Sequence, residues 1–504
     1  MQPTDFIGSL RTSETGGFPA SINSEISSMR CNGMTTALYN TPMNQNTAPF
    51  SCKPPTVTFH GAAQSVSGSV HLLEAGPYRF LLDCGLYRGP REEARMRNAY
   101  FDFDPATIDA VFLSHAHVDH CGNIPNLVRQ GFTGPIYCTH ATRDLISVML
   151  ADSSRIHDKE RAFVATTTAC NVRTSSSTTQ TNVEKTIDSC IGVDYMETIF
   201  VNSNVRIRFI DSGHILGSAM ITVKLMQEGR DYTITFTGDI GRRGVPFVSE
   251  PTPIPPADLI ICESTYGGKT HDSLEAMSTK MSDLVNQTLE RGGKVLIPAF
   301  SLGRTQLVLH YLRLWMANGL LPRLPIYVDS PLAQKIEVVY QKYREFLTPV
   351  VNEFPCEWLE SDDDARLRST QRESCIIVAS GGMCEGGRIV QHLKYHIDDP
   401  RSTIVLVSYQ APGSLGAHLL SPVATVRFNG QKWNKWIEVA EVKGFSGHAD
   451  KDDFDWLLRG AVHGTGKVRL VHGDPQQMLS LGNQLREMGF PDVGAPKRRE
   501  VVAL

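Results

Sequence analysis

Between Ser114 and His120 the chain reads Ser-His-Ala-His-Val-Asp-His, which crowds three imidazoles and a carboxylate, His115, His117, Asp119 and His120, into one short run. Directly before it lies Asp109-Ala-Val-Phe-Leu113, an apolar stretch bounded by polar residues that predicts a buried strand. The four polar side chains then leave that strand's carboxyl end, where an α/β sheet places its chemistry. Imidazole nitrogens and carboxylate oxygens suit zinc. Alternate residues leaving a strand point two ways and so can serve two adjacent ions. The alternative is a solvated His-rich loop, but 16 His in 504 residues rarely cluster at this spacing by chance.

The pattern His-x-His-x-Asp-His after an apolar strand resembles the signature of the metallo-β-lactamase superfamily. That resemblance implies a fold and leaves the substrate open, because the superfamily spans lactamases, glyoxalases, lipid and cyclic-nucleotide hydrolases, and nucleases.

Composition narrows the setting. A chain of 504 residues predicts two or three domains with ample core. The 11 Cys are odd in number and scattered, which argues for reduced thiols and a cytoplasmic location over a disulfide framework. No apolar run approaches the roughly 20 residues that span a bilayer, and no signal-peptide pattern opens the chain, so no membrane partner is expected. A net charge of −4 does not advertise nucleic-acid binding, yet a local basic groove and metal ions can hold phosphate on an otherwise acidic surface.

Residues 1–53 are rich in Ser, Thr, Asn, Gly and Pro without apolar periodicity and predict a disordered extension. Pro54-Pro55 marks the entry to structure. A second Ser/Thr-rich patch, residues 166–181, predicts a flexible surface insert. Strands are expected at 56–59, 78–83, 205–210, 219–223, 232–236 and 259–262. After Glu263 the texture changes: Asp272 to Arg291 is an amphipathic helix stopped by Gly292-Gly293, and four apolar runs, beginning at 294, 325, 375 and 404, predict a nearly parallel sheet. Residues 266–441 therefore form an α/β domain inserted between 54–265 and 442–504.

Further His and Asp residues follow strands. Ser212-Gly-His-Ile-Leu-Gly-Ser218 offers His214, Phe236-Thr-Gly-Asp-Ile-Gly241 offers Asp239, and Val471-His-Gly-Asp474 offers His472. A histidine among glycines is usually a turn residue, but beside the signature the balance shifts to ligation. The expected count is His115, His117 and His214 on one ion, Asp119, His120 and His472 on the other, and Asp239 bridging, with two Zn2+ per chain. Phe445-Ser-Gly-His-Ala-Asp450 offers His448, and Glu263-Ser-Thr-Tyr-Gly267 offers Glu263. A carboxylate-held imidazole is the proper general acid for a departing alkoxide.

The whole set, from about residue 56 onward, resembles the β-CASP subgroup of that superfamily, the nucleases that process RNA and DNA, in its short bacterial or archaeal form. The resemblance implies an αββα sandwich with an inserted β-CASP domain and makes Asp83 the first motif Asp. Glu263, His448 and His472 match the family's later motifs, and a His at the last of these resembles the RNA-acting members. Three glycine-rich loops also resemble those of prokaryotic relatives. They carry Ser301 and Arg304, then Ser380, Gly381 and Gly382, then Gln410 and Gly413, and their backbone amides with Arg304 are expected to receive phosphates. The resemblance thus implies a zinc-dependent ribonuclease that hydrolyses phosphodiester bonds of single-stranded RNA with a dinuclear zinc-activated hydroxide. His448, Glu263, Asp239 and Asp83 would be catalytic, and the products would carry 5′-phosphate and 3′-hydroxyl ends. A homodimer is left open. The competing readings are a metallohydrolase of the same fold acting on a thioester, lactone or small phosphodiester, and an inactive RNA-binding scaffold.

Overall fold

The structure, a computed structural model, describes residues 53–167, 176–348 and 355–504. Residues 1–52 of the expected extension lie outside the described residues. Two seven-stranded sheets form a sandwich. In the first, Val501–Ala503, Thr56–Phe59, His71–Ala75 and Tyr78–Leu82 pair antiparallel, and Ala110–Phe112, Ile136–Thr139 and Cys190–Val193 continue in parallel. The second runs in the order Val493–Gly494, Lys467–Val471, Leu259–Glu263, Arg230–Phe236, Ala219–Gln227, Val205–Asp211 and Thr198–Phe200.

Side-chain alternation makes the layers. Ile260 and Cys262 pack outward under the helices Lys451–Arg459 and Pro475–Met488, where Phe454, Leu457, Met478 and Leu481 complete the cluster. Their neighbours Leu259 and Ile261 are equally buried and point to the opposite face. Between the sheets the His71 ring sits against Phe59 and Phe236 at 5.3 and 5.5 Å, and burial lowers its pKa to about 3, so it is a neutral core residue. Outside the first sheet, Ile124, Leu127, Leu145, Ile146 and Met149 cover Val111, Leu113 and Cys138. The architecture is the expected αββα sandwich.

The Ser/Thr-rich patch differs from expectation. Thr166 and Thr167 close the helix His140–Thr167, and Ser176 to Thr181 open another, Ser176–Asp188; residues 168–175 lie outside the described residues. Helix propensity is weak there, but Val183 and Thr186 are buried, and tertiary packing outweighs the modest propensity cost of Ser and Thr.

The chain leaves the second sheet after Glu263 and rejoins it at Lys467. Between these points lies a third sheet, in the order Glu357–Trp358, Ile326–Asp329, Ile376–Ser380, Val295–Ala299, Thr403–Leu406 and Glu438–Glu441. Every pairing in it is parallel. Its central strands are apolar on both faces because helices cover both: Val295 and Ile297 join one cluster, Leu296 the other. The two edge strands carried no apolar run and so were not legible as strands; all of Glu438–Glu441 is only partly buried. No helix among the described residues is long and apolar enough to cross a membrane.

Phe454, fully buried beneath the second sheet, tests this packing. Phe454→Ala should cost about 3–5 kcal/mol of stability, seen as a lowered calorimetric unfolding temperature with metal content unchanged.

Candidate metal centre

Five strand ends from the two sheets of the sandwich converge at one edge. Ala110–Phe112 leads to residues 114–120, Val205–Asp211 to His214, Arg230–Phe236 to Asp239, Lys467–Val471 to His472, and Glu263 ends its own strand. The signature is not a plain loop. Its second half turns into the short helix Val118–Cys121 with His117 at the N-cap, so Asp119 and His120 diverge from His115 and His117 by helical rotation and not by strand alternation. The result is the division in two that strand alternation predicted, reached by another route.

The donors separate into two sets. His115, His117, His214 and Asp239 have donor atoms within 4.8 Å of one another, as do Asp119, His120 and His472. In the first set His115 Nε2 is 3.0 Å from His117 Nδ1, His214 Nε2 is 3.3 Å from the same atom, and Asp239 Oδ2 lies 3.4 and 3.6 Å from His115 and His214. In the second, His120 Nε2 is 3.2 Å from His472 Nε2, and Asp119 Oδ2 is 3.4 Å from His472. Donors bound tetrahedrally at about 2.0–2.1 Å would stand ~3.3–3.4 Å apart. Nitrogen lone pairs aimed at one another this closely repel unless a cation lies between them. Asp239 supplies the link: Oδ2 faces the first set, while Oδ1 faces His120 at 3.3 Å and is buried without an aligned hydrogen-bond donor. A buried carboxylate oxygen in that condition calls for a cation. The residues fit a metal site.

Four of the imidazoles are oriented from behind. His120 Nδ1 donates to Asp83 Oδ2 at 2.6 Å, His214 Nδ1 to the Gly447 carbonyl at 2.9 Å, and His115 Nδ1 to Ser114 Oγ at 3.0 Å. His472 Nδ1 meets Thr265 Oγ1 at 3.1 Å. In all four the bonded Nδ1–H leaves Nε2 as the donor toward the centre, the arrangement that fixes tautomer and ring direction in metal sites. Burial drives the pKa of His115 down to about 3 and of His117 to about 4, and lowers that of His214 as well, keeping these rings in the neutral form that ligates metal. Asp83, grouped with the catalytic residues in the sequence, stands behind His120 as a positioning residue. Its carboxylate also accepts from the Ser114 amide at 2.8 Å and from the Ser114 and Ser69 hydroxyls.

Backbone geometry makes room for these contacts. Asp83 and His472 hold left-handed φ values of 61° and 50°, a strain typical of functional strand ends. Around Asp239, a Cβ on Gly238 would meet Ser114 Cβ at 2.5 Å, and one on Gly241 would meet the Gly213 carbonyl at 1.8 Å, so the bridging loop and the His214 loop can touch only as glycines.

His448 lies beside the first set, its Nδ1 3.1 Å from Glu263 Oε1 and 3.9 Å from Asp239 Oδ2. Burial would lower its pKa, but Glu263 and then Asp239 outweigh it and hold the imidazole at about 9. Glu263 is itself fixed by the Ile240 amide at 2.7 Å and the Thr265 amide at 3.2 Å. Tyr266 stacks on the His448 ring at 6.3 Å, and His271 Nε2 donates to the His448 carbonyl at 3.0 Å. Sequence reasoning passed over Ser114, Thr265, Tyr266 and His271, although the first three lie within or beside quoted motifs.

The three glycine-rich loops sit at the carboxyl ends of the third sheet. The 300–304 loop reaches the centre, where a Cβ on Gly303 would lie 3.9 Å from His117 Nε2. Ser301 Oγ bonds Ser330 Oγ at 3.0 Å, and Ser380 Oγ accepts from the Arg388 amide at 3.2 Å. Gln410 Nε2 donates to the Gly382 and Ser408 carbonyls, and Gly381 and Gly413 hold φ values of 110° and 87°. Arg304, expected to grip a phosphate, donates Nη1 to the Val407 carbonyl and Ser408 Oγ, and burial lowers its pKa to about 10. That arm holds the neighbouring strand end.

Comparisons with known proteins agree with this layout. Residues 65–161 match the metallo-beta-lactamase superfamily, 305–419 the Beta-Casp domain and 437–494 the Zn-dependent metallo-hydrolase RNA specificity domain. Ribonuclease TTHA0252 of Thermus thermophilus is 35% identical over 441 residues, covering 85% of this chain and 95% of that protein. Transcription termination factor FttA of Methanocaldococcus jannaschii is 31% identical over 456 residues, covering 86% and 69%. A crystal structure of a protein of unknown function from Enterococcus faecalis V583 superposes with a TM-score of 0.53 at 14% identity, over 90% of this chain and all of that one, a likeness of fold alone.

If Asp239 links both donor sets, Asp239→Asn should strip metal from the purified protein, as measured by elemental analysis. Asp83→Asn should weaken metal affinity about 10- to 100-fold, the usual cost of a lost orienting partner. Full metal content in both variants would remove Asp239 from the bridge.

Proposed function

The chain belongs to the β-CASP RNA nucleases of the metallo-β-lactamase superfamily, and on that premise we propose that it is a zinc-dependent ribonuclease holding two zinc ions. One observation carries the reading: Asp239 turns one oxygen to each donor set, and the His448–Glu263 pair stands beside it. Bound there, two zinc ions would supply Lewis acidity toward water and the scissile phosphodiester.

The chain's own residues do the rest. His115, His117 and His214 form one ligand set and Asp119, His120 and His472 the other. His448 donates a proton to the departing 3′ oxygen, which makes it the catalytic acid. Glu263 is its positioning residue, because the carboxylate takes Nδ1–H and leaves Nε2 for the proton in transit. Asp83 and Ser114 hold His120 and His115 in register. Ser301, Ser380, Gly381, Gly382, Gln410 and Gly413 line the path of the RNA backbone, where positive-φ turns expose amides suited to phosphate oxygens. Arg304 braces that path from within the inserted domain. Hydrolysis in this arrangement leaves 5′-phosphate and 3′-hydroxyl ends.

The test is turnover of end-labelled single-stranded RNA by wild type and His448→Ala. The variant should lose roughly 10²–10⁴ in kcat, the range for a missing general acid, and keep its zinc. Zinc lost with the imidazole would make His448 a ligand. Turnover of small esters without RNA cleavage would favour a different metallohydrolase on this fold.

A further inference from the structure

We propose that Phe300 and Tyr409 form a stacking platform for unpaired bases of the RNA strand leading to the metal centre, an inference that rests on the ribonuclease reading. The strands Val295–Ala299 and Thr403–Leu406 are neighbours in the third sheet, paired in parallel with Val295 opposite Thr403. Their carboxyl ends therefore emerge side by side. All of Val295–Ala299 is buried, yet the next residue, Phe300, is 37% exposed, and Tyr409 beyond the other strand is 61% exposed. Two large rings thus face solvent at sheet ends rich in Ser and Gly.

The Phe300 ring and the loop that carries Tyr409 are held in place. The Phe300 carbonyl accepts from Thr305 N at 3.1 Å and Thr305 Oγ1 at 2.8 Å, and Gln306 Nε2 donates to the Ser301 carbonyl at 3.1 Å. One side of the Phe300 ring lies on Gly382, where any Cβ would come within 3.0 Å of Cδ2 and Cε2. Gln410 bonds the Gly382 carbonyl at 2.9 Å and the Ser408 carbonyl at 2.8 Å, tying the loop that bears Tyr409 to the loop under Phe300. A base that stacks on Phe300 meets a surface already ordered, so little conformational entropy is lost there.

Distance connects the platform to the chemistry. Gly303 approaches His117, and Phe300 is three residues away, at most ~11 Å even for an extended chain. The occupant is then a base close to the scissile bond. The Phe300 ring offers nothing to phosphate and Tyr409 only its hydroxyl, whereas every nucleobase has a π face. Aromatic rings alternating with amide-rich turns match the alternation of base and phosphate along a single strand. Such a platform accepts any base and rejects a paired one.

The experiment uses the full-length protein, a short end-labelled single-stranded RNA, and the same RNA with one abasic nucleotide walked along it. Phe300→Ala and Tyr409→Ala should each raise KM about 5- to 150-fold, equivalent to ~1–3 kcal/mol per stacked base, with kcat within a few-fold and metal content unchanged. Phe300→Trp should restore KM. In wild type, the abasic nucleotide at the position stacked on Phe300 should impose the same penalty, and in Phe300→Ala it should add nothing. Unchanged KM in the alanine variants overturns the platform, as does a variant penalty that simply adds to the abasic one. A wild-type walk showing no position-dependent penalty overturns it even where a variant fails to fold. Failure of the ribonuclease reading looks different: metal-loaded wild type that cleaves no RNA at all.

Discussion

The Asp239 carboxylate is the constraint on which the rest of the site depends. Its two oxygens lie between imidazoles from three different strand ends, and its backbone is pressed between Ser114 and the Gly213 carbonyl. A buried carboxylate is costly in water-free surroundings unless positive charge compensates it. The packing of both sheets brings those groups together at one point. Gly238 and Gly241 are the means by which the backbone comes so close.

The imidazoles are aimed from behind. Asp83, Ser114, Thr265 and the Gly447 carbonyl each take one imidazole N–H and so aim the opposite nitrogen inward. The same logic organises the acid, because Glu263 is locked by two backbone amides and in turn holds His448. Rigid strands set both layers, so the donors need little rearrangement when a ligand arrives. Strained φ angles at Asp83 and His472 fall at two of the strand ends that take part in this aiming.

The inserted domain contributes position more than charge. A parallel sheet covered on both faces can present function only at its ends, and its carboxyl ends carry the glycine-rich loops that adjoin His117. Arg304 shows how that economy works. The one cation in the first loop turns inward to bond Val407, while two aromatic rings at these loop ends stay exposed.

The local chemistry was legible in the sequence. His-x-His-x-Asp-His, the single histidines and aspartate after later strands, and the apolar runs of the inserted sheet all state donor type and period, which are properties of neighbouring residues. Less legible was whatever depends on residues far apart in the chain. Propensity could not show that Ser176 to Thr181 are helical, because Val183 and Thr186 are buried by other elements. Nor could spacing show that Asp119 and His120 ride a short helix, that Asp83 stands behind His120, or that Arg304 faces inward. Sequence alone determined which atoms are available for metal and proton chemistry, since side-chain type decides that. Only the tertiary structure decided which imidazole is held by which hydroxyl or carboxylate and which rings stay open to solvent, because most of those contacts join strand ends far apart in the chain.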